Sequence, residues 1–245
     1  MFIPRINLTS FCIISLNMKY STGTTPNLIK QSTKNIVVIG TGAVGLLYGG
    51  RLLESELSNT NTNHHNHKKL NVQFLCRSDY NYISKHGFQI ISPNGNFTYK
   101  EPTGITKFHQ SIDTLSYKDE IDCIIISVKT YALKDKSFQD ILKALISRNR
   151  NTKVIALMNG YGVEDMLGSF LPSECIYGGM AFVCCNRLIV PGTNKPVQVN
   201  HIAYGSLLLG HYLDDINCVS VVKSLWDDTV ICNSVTVAAN LLSSR

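Results

Sequence analysis

The first 53 residues contain no aspartate or glutamate. Arg5, Lys19, Lys30, Lys34 and Arg51 therefore supply five of the chain's six net positive charges, and the rest of the 245 residues carry only +1. A body so near neutrality argues against a nucleic-acid-binding face, which needs Lys and Arg clustered on the folded domain. Long apolar runs are missing too. Ile124-Ile125-Ile126-Ser127-Val128 has the length of a strand, far short of the roughly 18 residues of a spanning helix, so no membrane segment is expected. None of the eight cysteines forms a Cys-x-x-Cys pair, which removes the zinc ribbon and the thioredoxin-type redox motif. Cys76 and Cys123 adjoin apolar residues, where a reduced thiol serves as a small core hydrophobe. A reducing compartment without a disulfide framework is expected.

The acid-free opening has two readings. Met1 to about Lys34 is rich in Ser and Thr, as in a mitochondrial transit peptide, which would place the protein in the matrix. The alternative is a disordered extension, or an upstream start ahead of Met18, on a cytoplasmic protein. Residues 1–34 are thus set apart from a domain spanning 35–245. With 44% apolar and 16% charged residues, that domain reads as globular.

Asn35-Ile36-Val37-Val38-Ile39 looks like a strand buried on both faces, followed by a glycine turn and a helix from Ala43 to about Leu57. Leu46, Leu47, Leu52 and Leu53 are expected to line one side of that helix. Ser58–Lys69, an Asn/Thr/His tract, reads as a solvated insert. Its His64, His65 and His67 lack a nearby Cys or carboxylate to complete a metal site, so no metal is expected. Further strands are expected at Leu70–Cys76, Asp122–Val128 and Lys153–Leu157, with helices at Lys134–Ile146 and Glu164–Phe170. Ser92-Pro93-Asn94-Gly95 predicts a hairpin between Phe88–Ile91 and Phe97–Tyr99. Later strands are expected at Ile176–Cys184, Val197–Ile202, Leu207–Leu209 and Thr229–Ile231, with a helix at Ile216–Leu225. Strand–helix alternation of this kind predicts an α/β Rossmann-type fold, a doubly wound and mostly parallel sheet.

Gly40-Thr41-Gly42-Ala43-Val44-Gly45 carries the chemistry. It follows a buried strand and opens a helix, the context in which Gly-x-Gly-x-x-Gly binds a dinucleotide. The first glycine permits the turn, the second clears the pyrophosphate, and the third allows close helix–strand packing. Amides at the helix start then face the phosphates. The end of the second strand selects the cofactor: an acid there binds the ribose 2′-hydroxyl of NAD. This chain offers Cys76-Arg77-Ser78, and a guanidinium with a hydroxyl suits the 2′-phosphate of NADP. An ordinary surface arginine would look the same. Lys129 and Asn159 close the next two strands, at the carboxyl edge where such sheets place ligands. A solvated helix-start lysine and an Asn-Gly turn remain alternatives for them.

Taken in order, the glycine turn, Ser127-Val128-Lys129-Thr130-Tyr131, Leu157-Met158-Asn159-Gly160-Tyr161-Gly162 with Glu164, Gly178-Gly179, Pro191-Gly192, His201, Gly205 and Gly210 resemble the ketopantoate reductase (2-dehydropantoate 2-reductase) family. The resemblance implies NADPH-dependent reduction of the small keto acid 2-dehydropantoate to pantoate, for pantothenate synthesis. It implies that Gly40 to Gly45 hold the pyrophosphate, Arg77 the 2′-phosphate, and Lys129 and Asn159 the cleft between cofactor and substrate. It also puts the backbone of Cys184 near the cofactor.

The family continues into a helical C-terminal domain whose first helix carries a catalytic lysine in a Trp-x-Lys-like motif. Here Trp226 is followed by Asp227-Asp228, and no lysine follows Lys223. The expectation is that this helical domain is missing, that no catalytic residue can be assigned, and that the chain alone is poorly active. An uncovered docking face would then favour self-association. Two other functions stay open: a non-catalytic NADPH-binding protein, and a dehydrogenase for another small anionic keto or hydroxy acid.

Overall fold

A computed structural model describes residues 33–60, 69–116, 120–189, 194–238 and 240, all within the unit Gln31–Arg245. The expected extension up to residue 32, the three histidines of the insert and Pro191-Gly192 lie outside them. Among the described residues no helix is long and apolar enough to cross a membrane, and no group of three His, Cys, Asp or Glu is placed to hold a metal.

Ten strands of the described residues form one sheet. In chain order they are β1 (Lys34–Ile39), β2 (Leu70–Leu75), β3 (Phe88–Ile91), β4 (Phe97–Tyr99), β5 (Phe108–His109), β6 (Cys123–Ile126), β7 (Lys153–Ala156), β8 (Ile176–Leu188), β9 (Val197–His211) and β10 (Val235–Val237). Across the sheet the order is β4-β3-β9-β8-β7-β6-β1-β2-β5, with β10 beside β9. β5, β2, β1, β6, β7 and β8 run parallel, whereas β9 is antiparallel to β8. The chain order reverses between β1 and β6, the switch point at which open α/β sheets leave a crevice.

Among the described residues the α-helices are α1 (Ala43–Thr60), α2 (Tyr80–His86), α3 (Lys136–Arg148), α4 (Val163–Gly168) and α5 (Ile216–Lys223). Alternation along β1 explains why the strand is apolar throughout. Ile36 and Val38 enter the core on the α1 side, and Val37 and Ile39 enter the core on the α3 side. Each such side chain contributes about 1.5–3 kcal/mol on burial.

Helix α1 departs from the expected one-sided packing. It is buried almost all round from Gly45 to Leu53, because the sheet curls about it. Phe88 of β3 meets Phe74 of β2 at 5.9 Å and Phe108 of β5 at 6.1 Å, and Tyr99 of β4 meets Phe108 at 6.0 Å. These rings bring the two ends of the sheet together around the helix. A Cβ on Gly49 would lie 2.8 Å from Val38, and one on Gly50 2.8 Å from both Phe88 and Ile90. Arg51, fully buried, reaches past Glu54 to donate to the Gly95 carbonyl at 2.6 Å. Trp226 donates to the Tyr48 carbonyl at 3.3 Å. The helix that starts at the glycine turn is thereby clamped along its length.

Other boundaries moved for local reasons. α1 runs on through Ser58, Asn59 and Thr60, taking three residues from the expected insert. The helix expected from Lys134 divides into a 3-10 turn, Thr130–Lys134, and α3, because Asp135 caps α3 by accepting from the Ser137 amide at 2.9 Å. β8 extends to Leu188, and β9 is one strand where two were expected. Tyr204 and Gly205 adopt positive φ of 66° and 110°, and the bulge they form lets β9 stay paired with β8. Buried His201 holds it, with Nε2 3.2 Å from the Tyr204 carbonyl and Nδ1 2.8 Å from Ser92 Oγ. The segment expected as a strand at 229–231 is a turn, and β10 forms instead at Val235–Val237. β5, two residues long, was too short to leave a periodic signal.

Candidate dinucleotide site

The carboxyl ends of β1, β2, β6 and β7 open into a cavity of about 1200 Å3, larger than the roughly 300–1,000 Å3 of most small-molecule sites. Gly40 to Val44, Arg77, Ser78, Lys129 and Asn159 all line it. Four strand ends, distant in sequence, are thus gathered at the switch point.

Each glycine of the turn has its own reason. Gly40 has φ +102°, a region that favours glycine. A Cβ on Gly45 would fall 2.1 Å from the Gly40 carbonyl oxygen and 2.1 Å from Ser127 Oγ, so the helix can approach the turn only without one. Gly45 is absent from the cavity wall and acts by packing. Gly42 differs. A Cβ there would meet only the Ser127 carbonyl oxygen, at 3.9 Å, and the residue faces the cavity. Neither strain nor crowding in the protein requires it; the space it leaves belongs to the cavity.

The turn is braced from β6. Ser127 Oγ donates to the Gly40 carbonyl at 2.8 Å, and the Gly40 amide donates to Leu75 at 3.2 Å. The first helical bond runs from the Leu46 amide to the Gly42 carbonyl at 3.0 Å, so the amides of Ala43, Val44 and Gly45 precede the helical ladder. Such amides need an outside acceptor, and with the helix dipole behind them they favour an anion.

Arg77 and Ser78 are exposed where β2 ends. Across from them Asp135 is committed to capping α3. Its carboxyl is held below the ordinary range, chiefly by the Ser137 hydroxyl and amide and to a small degree by the Arg77 charge. Lys129 is exposed on the cavity rim. Asn159 stands beside it, because Thr130 Oγ1 donates to the Asn159 carbonyl at 3.0 Å and ties the two loops. Among the described residues that line the cavity, Lys129 is the only lysine.

Cys184 is the site residue whose side chain does not line the cavity, although Val183 and Cys185 on either side of it do. It is exposed on the outer face of β8 with Phe182 and Leu188. The cavity wall takes the opposite set, Ala181, Val183, Cys185, Arg187 and Ile189. Burial raises the Cys185 thiol, and burial with the Asp79 charge pushes Cys76 up to about 12. Both thiols stay protonated near neutrality and supply packing rather than a nucleophile. Three polar groups went unread in the sequence: the bracing Ser127 hydroxyl, Asp79 and Arg187. Arg187 pairs with Asp79, and Thr41 Oγ1 donates to both Asp79 oxygens at 3.1 Å.

The profile of the family described as "Ketopantoate reductase PanE/ApbA" matches residues 36–214. The chain belongs to this family. A 2-dehydropantoate 2-reductase from Nostoc sp. is 25% identical over 182 residues, 74% of this chain and 48% of the Nostoc protein; the chain spans about half the length of that curated relative. The crystal structure of 2-dehydropantoate 2-reductase from Geobacter metallireducens superposes with a TM-score of 0.64 at 25% identity, over 84% of this chain and 58% of that one. A ternary structure of D-mandelate dehydrogenase with NADH and anilino(oxo)acetate has a TM-score of 0.58 at 22% identity, over 83% of this chain and 56% of that one. The fold is therefore that of the Rossmann-type domain of ketopantoate reductases, with a mixed α/β architecture and a mostly parallel sheet.

Proposed function

We propose that the chain binds NADPH as the nucleotide-binding part of a reductase for a small 2-keto acid, 2-dehydropantoate. Gly42 carries this reading: it is the one glycine of the turn that the fold leaves unexplained and a ligand explains. The cavity has the size and the charge for an extended dinucleotide. In this reading the amides at the start of α1 hold the pyrophosphate, which the missing side chain at Gly42 lets approach. Arg77 and Ser78 receive the 2′-phosphate, where a planar guanidinium can bond two oxygens at once. NADPH, when bound, supplies the hydride for reduction of the keto group. Lys129 and Asn159, tied together through Thr130, offer a cation and an amide that orient the nicotinamide ribose and the keto acid. The family match supports the reaction class, and the substrate is the one that the Nostoc relative is named for.

Titration of the wild-type chain with NADPH and NADH, followed by nucleotide fluorescence, tests the reading. NADPH is expected to bind more tightly, and Arg77→Ala is expected to remove most of that preference. A charge-assisted contact is worth about 1.5–3 kcal/mol, or roughly 10- to 150-fold in affinity. Equal affinity for the two nucleotides in the wild type removes the 2′-phosphate assignment, and no affinity for either removes the function.

A further inference from the structure

We propose that Arg187 sets the cofactor preference by neutralising Asp79, a carboxylate two residues beyond Arg77 in the same cavity. This rests on the reading that the cavity takes a nicotinamide dinucleotide with its 2′-phosphate at Arg77. Arg187 comes from β8, in phase with Ala181, Val183 and Cys185 on the cavity wall. Its guanidinium crosses to Asp79, and the two side chains are only 20% and 18% exposed. On its other side Asp79 accepts from Thr41 of the glycine turn. The carboxylate is thus pinned between the pyrophosphate turn and the β8 wall, with Arg77 and Ser78 lining the same space.

An unpaired carboxylate in that place has two consequences. It repels a 2′-phosphate, which carries up to two negative charges. It also offers the acceptor that an unphosphorylated ribose uses when an acid stands near the end of the second strand. The Arg187 charge cancels the first effect, and its hydrogen bond with that of Thr41 occupies the oxygens needed for the second. Arg187 Nε is buried with no hydrogen-bond partner among the described residues, so the guanidinium is not saturated by the pair. Asp79 forms the link; Arg187 acts on the cofactor through it and is a positioning residue.

The experiment compares the wild-type chain with Arg187→Met, Arg187→Lys, Asp79→Asn and the Arg187→Met/Asp79→Asn double variant. Dissociation constants for NADPH and NADH are measured by fluorescence titration, with melting temperatures alongside. Arg187→Met is expected to weaken NADPH by about tenfold, the scale of one partly screened charge contact, and to leave NADH unweakened or modestly tighter, since the released carboxylate can accept from the ribose. Asp79→Asn alone, which keeps Arg187 and removes the repelling charge, is expected to raise the NADPH-to-NADH preference. Arg187→Lys is expected to keep most of the preference, and the double variant to regain that of the wild type. A merely structural strap predicts equal losses for both nucleotides and no rescue by Asp79→Asn, and that result overturns the proposal. Should Arg187→Met not fold, an unchanged preference in Asp79→Asn overturns it as well. A wild type that prefers NADPH while all variants keep that preference defeats only this inference; a wild type that binds neither nucleotide defeats the underlying function too.

Discussion

The turn that lines the cavity from Gly40 to Val44 and the strand wall Ala181–Ile189 meet at the same space, and they are held in place by different forces. Backbone contacts fix the turn: Gly45 leaves no room for a methyl group against the Gly40 carbonyl, and Ser127 bonds that same carbonyl. Behind it α1 is enclosed by a curled sheet. The wall meets the turn through side chains, Arg187 to Asp79 to Thr41. Close-packed backbone tolerates no gradual adjustment, whereas an ion pair can be tuned by exchanging one group. Substitutions on the turn should therefore act in large steps, and those on the wall should act by degrees.

Gly45→Ala should have the largest effect. The added carbon cannot be accommodated by a rotamer change, since one of the two atoms it strikes is backbone. Overpacking of this kind removes about 1–3 kcal/mol or more, and each kcal/mol lowers Tm by roughly 2–4 °C in a domain of this size. Thermal melts should show a clear fall, together with loss of NADPH binding. A variant as stable as wild type would mean that the turn has slack, and the contrast with the wall would disappear.

Gly42→Val separates ligand from fold. Its side chain would enter open cavity, so Tm should stay within about 2 °C of wild type, as expected for a substitution that disturbs no packed feature. NADPH affinity should fall on the order of 100-fold, the scale of losing two charge-assisted hydrogen bonds at the pyrophosphate. Full binding with an intact melt would remove the strongest support for the proposed function. Ser127→Ala should come next in size. It deletes the brace on the Gly40 carbonyl, worth about 1 kcal/mol net, and should lower Tm by roughly 2–4 °C while loosening nucleotide binding a few-fold. A larger effect on binding than on stability would show that the brace aligns amides more than it holds the fold.

The same contrast explains which parts of the site were legible in the sequence. The glycine turn is local: strand, spacing and helix start all lie within a dozen residues. Arg77, Lys129 and Asn159 were also readable, because a parallel sheet puts the residue after each strand at the same edge. The partnership of Asp79 with Arg187, 108 residues away, depends on the β8–β9 pairing, and nothing near either residue announces it. The phase of β8 was ambiguous for a related reason. Val183 and Cys185 on one face and Phe182, Cys184 and Leu188 on the other are both apolar sets, so alternation could not say which faces the cavity, and the resemblance spoke only for the Cys184 backbone. The enclosure of α1 was hidden too, since the partners that cover its second side come from β3 and β9.

The smallest expected effect asks whether the turn side stays rigid in acid. His109 ends β5, beside β2, and its carbonyl accepts from the Cys76 amide at 2.7 Å, immediately before Arg77. Its ring is buried, with Nδ1 3.1 Å from Thr114 Oγ1. Burial chiefly, with some repulsion from Lys107, pulls its pKa below the ordinary 6.5, against an opposing hydrogen bond to the Thr106 backbone. The folded protein therefore keeps the ring neutral, while the unfolded chain takes up a proton more readily. Stability from this group is complete above about pH 6.5 and is lost as pH falls through the lower folded value. Urea midpoints measured from pH 7.5 to pH 5 should fall more steeply for wild type than for His109→Gln, which cannot titrate there. Parallel curves would mean that His109 does not report on this edge, and that the β2–β5 strand pair holds the Arg77 loop without regard to the charge on its neighbour.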